Sequence, residues 1–244
     1  MTDRPRLLPC GDAALSVDFG NVISIAVNRR VHALAAALGA ADLAGVIETV
    51  PTYRALTVHF DPLVLPPDLL ERTVQGLLDH GDATVQPARR WHVPAVFGGA
   101  FGVDLDACAN AAGLDPADYI ATFVAPVYRV MMIGFMPGFS YLANLPEGFA
   151  RPRLATPRAA VPKGSISIGG AQAAIGSVEG PSGWHLLGRT PAVPFLPGRE
   201  PLFLFEPGDE IVFDPVSASD WGALAAAAER GDPLVRLVET EPRP

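Results

Sequence analysis

Cysteine is nearly absent. Cys10 and Cys108 are the only two in 244 residues and belong to no C-x-x-C pair, which argues against a disulfide scaffold and against a zinc cluster. No run of 18 or more apolar residues occurs, and the start, MTDRPRLLPCGDAAL, lacks an apolar core followed by a small-residue cleavage site. Neither a membrane-spanning helix nor a secretory leader is therefore expected, and the chain reads as cytoplasmic. Basic residues are also scarce: 18 Lys and Arg against 26 Asp and Glu leave a formal charge of -8, which offers nucleic acid no electrostatic footprint. The acidic residues are scattered through loops and read as a solvated surface.

Several common chemistries are missing as well. Lys163-Gly164-Ser165 has the wrong order for a phosphate loop, and Gly98, Gly99 and Gly102 do not spell a dinucleotide fingerprint. None of Ser140, Ser165, Ser167 and Ser182 sits in G-x-S-x-G, which excludes a nucleophile elbow. The five histidines form no close pair, so no intrinsic metal site is expected.

What is present is a globular composition, 49% hydrophobic and 18% charged, in a chain long enough to bury a sizeable core. AALSVDF (13–19) alternates like a half-buried strand, and NVISIAVNRRVHALAAALGA repeats at helical spacing. AGVIETVPTYRALTVHFDP then gives two β-branched runs, and PPDLLERTVQGLLDHG a helix opened by prolines. Residues 82–90 lose periodicity and mark a domain boundary.

Beyond that boundary RRWHVPAVFGG reads as a strand, VDLDACANAAG and DPADYIATFVA as short helices, and YRVMMIGF as a strand. After residue 150 come short runs with turn signals, VPKGSISIGG, AQAAIGSV, GWHLLGRT, PLFLF and PGDEIVF, the pattern of a barrel or sandwich. SASDWGALAAAAERG reads as a terminal helix, and PLVRLVE as an edge strand after it.

Polar groups concentrate between Arg151 and Arg189. Arginine and lysine in Pro-punctuated loops suit carboxylate or phosphate. Gly169 and Gly170 beside Gln172 allow close approach to a strand, and Trp184, His185 and Arg189 follow in PSGWHLLGRT. The other reading of each residue alone is core packing or a surface ion pair.

These residues carry a resemblance. YRVMMIGFMPGFSYLANL, LATPRAAVPKGSISIGGAQ and GWHLLGRTP, in this order, together with VPTYRALTVHFDP earlier and PGDEIVFDPVS later, resemble the family of the 5-oxoprolinase B subunit, also known as allophanate hydrolase subunit 1, which includes a sporulation histidine-kinase inhibitor. The resemblance implies an α+β protein: a small α/β N-terminal domain over residues 1–86, then a cyclophilin-like β-barrel with a terminal helix over 87–244. It departs from the family pattern at Ala100, at Ala174, and at Ala173 and Gly176, where relatives carry the hydroxyls of Thr and Tyr near the glutamine.

By this resemblance the chain is expected to be a subunit of an ATP-dependent cyclic-amide hydrolase that opens 5-oxoproline to glutamate and is inactive without a partner subunit of related barrel fold. That partner is of the type of the 5-oxoprolinase C subunit or allophanate hydrolase subunit 2. ATP, with Mg, is expected in a site shared with the partner. Arg158, Lys163 and Arg189 are the candidates for anionic groups, Gln172 and His185 for orienting substrate, and Gly169, Gly170 and Ser182 for contacts to the nucleotide. Two other readings stay open: an allophanate hydrolase or urea carboxyltransferase-type subunit, and a non-catalytic inhibitor of a sensor histidine kinase. The segment GFMPGFSYL (134–142) is expected to turn at Pro137-Gly138 and to form an apolar wall, with Phe135 and Phe139 as buttresses.

Overall fold

The computed structural model describes residues 4–79, 89–232 and 234–238, so most of the boundary expected at 82–90 lies outside the described residues. By contacts the chain divides into two compact units, Met1–Gln86 and Pro87–Pro244.

The first unit runs β1 (Arg6–Pro9), β2 (Ala14–Asp18), α1 (Ile25–Ala41), β3 (Val46–Pro51), β4 (Ala55–Phe60) and α2 (Pro67–Asp79). Its antiparallel sheet has the order β1-β2-β4-β3. Alternation in β2 and β4 sends Leu15, Val17, Leu56 and Val58 into the core. There they meet Val31, Leu34 and Leu38, which recur at three- and four-residue spacing along α1. Ser24 caps α1 by accepting a hydrogen bond from the Ala26 N–H, and Asp42 closes the helix in the left-handed region. Sequence patterning does not announce β1, a four-residue edge strand that ends in Pro9 and has no clean alternation.

The second unit contains β5 (Arg90–Phe97), α3 (Leu105–Ala112), α4 (Pro116–Val124), β6 (Tyr128–Ile133), β7 (Ser140–Ala143), β8 (Arg158–Val161), β9 (Ser165–Gly169), β10 (Gln172–Ile175), β11 (Gly180–Ser182), β12 (His185–Arg189), β13 (Glu210–Pro215), α5 (Trp221–Glu229) and β14 (Arg236–Val238). Strands β12-β9-β10-β7-β6-β13-β5 form a sheet that closes on itself where Gly188 and Arg189 of β12 pair with Phe97 and Val96 of β5. The protein is thus α+β, with a closed seven-stranded barrel. β14 pairs with Arg90–His92, the part of β5 that β12 leaves uncovered. Among the described strands only β13 and β5 run parallel.

Inward-facing Ile166, Ile168, Ala173, Ile175 and Leu187 fill the barrel, and α3 and α4 add Leu105, Tyr119 and Phe123 to the same core. Asp115 accepts a hydrogen bond from the Asp118 N–H and Pro116 occupies the first turn of α4, the cap chemistry the sequence predicts. β8 and β11 form a separate two-stranded sheet. One expected strand does not form: PLFLF (201–205) makes a single bridge, Phe195 to Phe203, because its backbone bonds go to the neighbouring loop at Pro194 and Leu196. No helix among the described residues is long and apolar enough to cross a membrane.

Candidate functional site

The candidate residues sit mainly on or beside β12, and its two ends differ. Five strand residues span about 13 Å, which separates the backbones of His185 and Arg189. The register agrees with that separation: His185 lies opposite Ile168 near the end of β9, and Arg189 opposite Ser165 at its start.

At the Arg189 end, three chain segments are tied together at Gly164. Its N–H donates to the Gly176 carbonyl at 2.8 Å, and its own carbonyl accepts from the Thr190 N–H at 2.9 Å. Gly164 has φ +77°, and a β-carbon there would stand 2.1 Å from the Thr190 oxygen, so this approach needs glycine. The junction places Lys163, Ser177 and Arg189 around one cavity of 560 Å³, whose far wall is the face of α5 bearing Trp221, Ala225, Ala228 and Glu229.

Arg189 is held in place: its Nε–H donates to the Lys163 carbonyl at 2.9 Å, and its guanidinium lies 4.9 Å from the centre of the Trp221 ring. Burial lowers its pKa and nearby Glu179 opposes that effect, but a guanidinium stays charged at any physiological pH. Thr190 Oγ1 accepts from the Ala192 N–H at 3.1 Å and fixes the loop beyond β12. The Ser177 side chain is 2% exposed, yet its hydroxyl has no hydrogen-bond partner among the described residues. Lys163 is exposed and has no side-chain partner among the described residues. Two cations thus line one cavity beside the buried Ser177, an arrangement suited to an anion.

At the His185 end Arg158, Ser182 and His185 are already engaged. Arg158 Nη2 donates to Asp104 Oδ1 at 2.7 Å, and Asp104 Oδ2 accepts from the Leu186 N–H, also at 2.7 Å. His185 Nε2–H donates to the Pro152 carbonyl at 2.9 Å, and the Ser182 hydroxyl accepts from the Trp184 N–H at 3.1 Å. Gly169 packs under Trp184, whose ring a β-carbon would meet at 2.6 Å. Gly170 turns at φ +60° and bridges to Arg151. Gln172 starts β10 opposite Gly169. Among the candidate residues, Lys163 and Arg189 come together, while Arg158, Gly169, Gly170, Gln172, Ser182 and His185 belong to the other end.

The segment GFMPGFSYL links β6 to β7. Gly138 has φ +75° as a turn after Pro137 requires, and a β-carbon on it would touch Phe195 at 2.7 Å. Phe139 is buried against Trp184 and Tyr141, as a buttress should be. Phe135 is not: it is 65% exposed and its backbone sits at φ +68°. Sequence reasoning missed Ser177, Asp104 and Trp221. Asp104 and Trp221 lie far from the motif cluster in sequence, and nothing local distinguishes Ser177 from a loop serine. Among the described residues no group of three or more His, Cys, Asp and Glu side chains is placed to hold a metal ion.

A closed barrel in one unit and a smaller antiparallel sheet in the other, with a cationic cavity at the barrel rim, define an α+β protein of carboxyltransferase-like fold. The chain belongs to the family of the carboxyltransferase domain, subdomain C and D, whose pattern matches residues 5–205. It is 33% identical over 234 residues to the 5-oxoprolinase B subunit of Bacillus subtilis, covering 91% of this chain and 98% of that one. The solved structure of TTHA0988 superposes with a TM-score of 0.76 at 33% identity, covering 84% of this chain and 40% of that chain. This chain therefore spans less than half the length of that relative. The urea amidolyase of Kluyveromyces lactis superposes with a TM-score of 0.82 at 16% identity, covering 97% of this chain and 16% of that one, a likeness of fold.

Proposed function

We propose that this chain is one subunit of an ATP-dependent amide hydrolase of the 5-oxoprolinase type, which opens 5-oxoproline to glutamate only together with a partner subunit. The observation that carries the reading is the near full-length match to the 5-oxoprolinase B subunit, joined to a cavity at the barrel rim that offers Lys163 and Arg189 to an anion. A five-membered lactam is a stable amide, and ATP supplies the driving force by activating its carbonyl oxygen as a leaving group.

The chain's own groups do the rest of what this reading asks. Lys163 and Arg189 hold anionic oxygens, with Arg189 fixed in advance by the Lys163 carbonyl and the Trp221 ring. Preorganised donors of this kind need no reorientation as charge develops. Any Mg²⁺ arrives with the nucleotide, and the partner, of the 5-oxoprolinase C type, completes the site. Urea carboxyltransferase chemistry is the competing reading, and the K. lactis likeness, being one of fold, does not favour it.

Co-expression with its partner subunit tests the proposal: the complex should convert 5-oxoproline to glutamate with ATP, and the isolated chain should not. Turnover of allophanate or urea in place of 5-oxoproline would replace the substrate, and turnover by the chain alone would remove the partner requirement.

A further inference from the structure

One loop reaches both ends of β12. GGAFGVD (98–104) links β5 to α3 and lies against the strand. The Gly98 N–H donates to the Leu187 carbonyl and the Asp104 N–H to the Leu186 carbonyl, each at 3.0 Å, and the Asp104 carboxylate accepts from the Leu186 N–H at 2.7 Å. Within the loop, the Phe101 and Gly102 N–H groups both donate to the Gly98 carbonyl, at 3.1 and 3.0 Å. A β-carbon on Gly102 would stand 1.9 Å from the Leu187 oxygen, so this approach needs glycine. The loop is fixed to the strand on both sides of Phe101.

Phe101 is half-buried and does not line the Lys163 cavity. Its ring meets the Trp221 indole with centres 4.7 Å apart and planes inclined at 51°. That indole lies 4.9 Å from the Arg189 guanidinium. α5 begins at Trp221 and has no fully buried residue of its own, so the contact with Phe101 ties the start of the helix to the barrel. The hydrogen bond from Arg189 Nε–H to the Lys163 carbonyl fixes one edge of the guanidinium. A single hydrogen bond leaves the plane free to turn about it, and the indole supplies the second constraint.

We propose that Phe101 is a positioning residue: acting through Trp221, it holds the Arg189 guanidinium at the angle at which its remaining N–H groups serve the cavity that Arg189 lines. The proposal rests on the reading that Arg189 meets an anionic group of the substrate, and it adds a residue that touches neither substrate nor cavity. A guanidinium held before the anion arrives loses less in orienting itself, and the developing charge gains the full interaction. The competing account is packing alone, a ring that supports a helix. The two accounts differ in one respect: positioning needs Arg189, and packing does not.

Two measurements test it, one of them without turnover. In the isolated chain, solvent exchange of the Arg189 Nε–H is followed by heteronuclear NMR, the signal being identified by its loss in Arg189→Lys. Phe101→Leu and Trp221→Leu should speed that exchange about three- to tenfold, the worth of a partly desolvated cation–π contact, and Phe101→Tyr, which keeps the ring, should restore the wild-type rate. In the complex with its partner subunit, Phe101→Leu should lower kcat/KM for 5-oxoproline by about the same factor. In an Arg189→Ala background the same substitution should change it by less than about twofold, because the two residues act as one unit. An equal loss in both backgrounds would show packing alone and overturn the proposal, as would exchange indifferent to Phe101→Leu. Indifferent exchange in a complex that Arg189→Ala inactivates would end the role of Phe101 and leave the proposed function standing. Faster exchange in Phe101→Leu, with a complex that does not act on 5-oxoproline, would keep Phe101 as the residue that positions Arg189 and remove the substrate.

Discussion

At the His185 end of β12, Arg158, Ser182 and His185 direct their polar atoms to Asp104, the Trp184 N–H and the Pro152 carbonyl. At the Arg189 end, Lys163 and Ser177 line a cavity, and neither side chain has a partner among the described residues. Similar residue types thus stand near the two ends of one strand, about 13 Å apart, in two conditions, satisfied and waiting. A polar side chain in a motif is informative about ligand only when its hydrogen bonds are unaccounted for. At the satisfied end Asp104 ties Arg158 to the backbone of Leu186, and Trp184 fills the space that Gly169 vacates.

On this division, damage at the filled end lowers stability, and damage at the open end lowers binding. Phe139→Ala, which empties the contact with Trp184 and Tyr141, should have the largest effect, a loss of about 3 to 4 kcal/mol measured by urea denaturation. Asp104→Ala leaves Arg158 and the Leu186 N–H without their acceptor and should cost about 2 to 3 kcal/mol. Gly169→Ala drives a methyl into the Trp184 ring and should cost about 1 to 3 kcal/mol; an unchanged melting temperature would reopen Gly169 as a ligand contact.

Lys163→Ala should keep stability within about 0.5 kcal/mol. The smallest effect belongs to the first unit, as a reference outside both ends. The Gly20 N–H, then Arg6 and Arg54, hold the Asp18 carboxyl below its ordinary value of 3.8. A depressed carboxylate stabilises the fold above its unfolded pKa and loses that contribution as pH falls through the folded one. The melting-temperature gap between wild type and Asp18→Asn should therefore be constant at neutral pH and shrink below about pH 3.8.

Much of the fold was legible in the sequence. Helical spacing in α1, the Asp115-Pro116 start of α4 and alternation in β2 and β4 are local signals, and the structure repeats them. Closure of the barrel was not, because it rests on Gly188 and Arg189 meeting residues about 90 positions away. PLFLF has strand composition, but its Leu204 N–H donates to the Pro194 carbonyl and its Leu202 carbonyl accepts from the Leu196 N–H, both in one neighbouring loop. Of the site, Lys163 and Arg189 were visible as motif cations. Their separation from His185 was hidden, since neighbours in sequence along a strand are distant in space. Phe135 shows the same limit: a left-handed backbone turns outward an aromatic that composition assigns to the core.

The most direct test compares Lys163→Ala with His185→Ala in the assembled complex, assayed for ATP-dependent opening of 5-oxoproline. The account predicts that kcat/KM falls at least about tenfold for Lys163→Ala, the worth of one charged hydrogen bond, and stays within about twofold of wild type for His185→Ala. A loss confined to His185→Ala, with Lys163→Ala fully active and both variants folded, would contradict it and move the chemistry to the other end of β12.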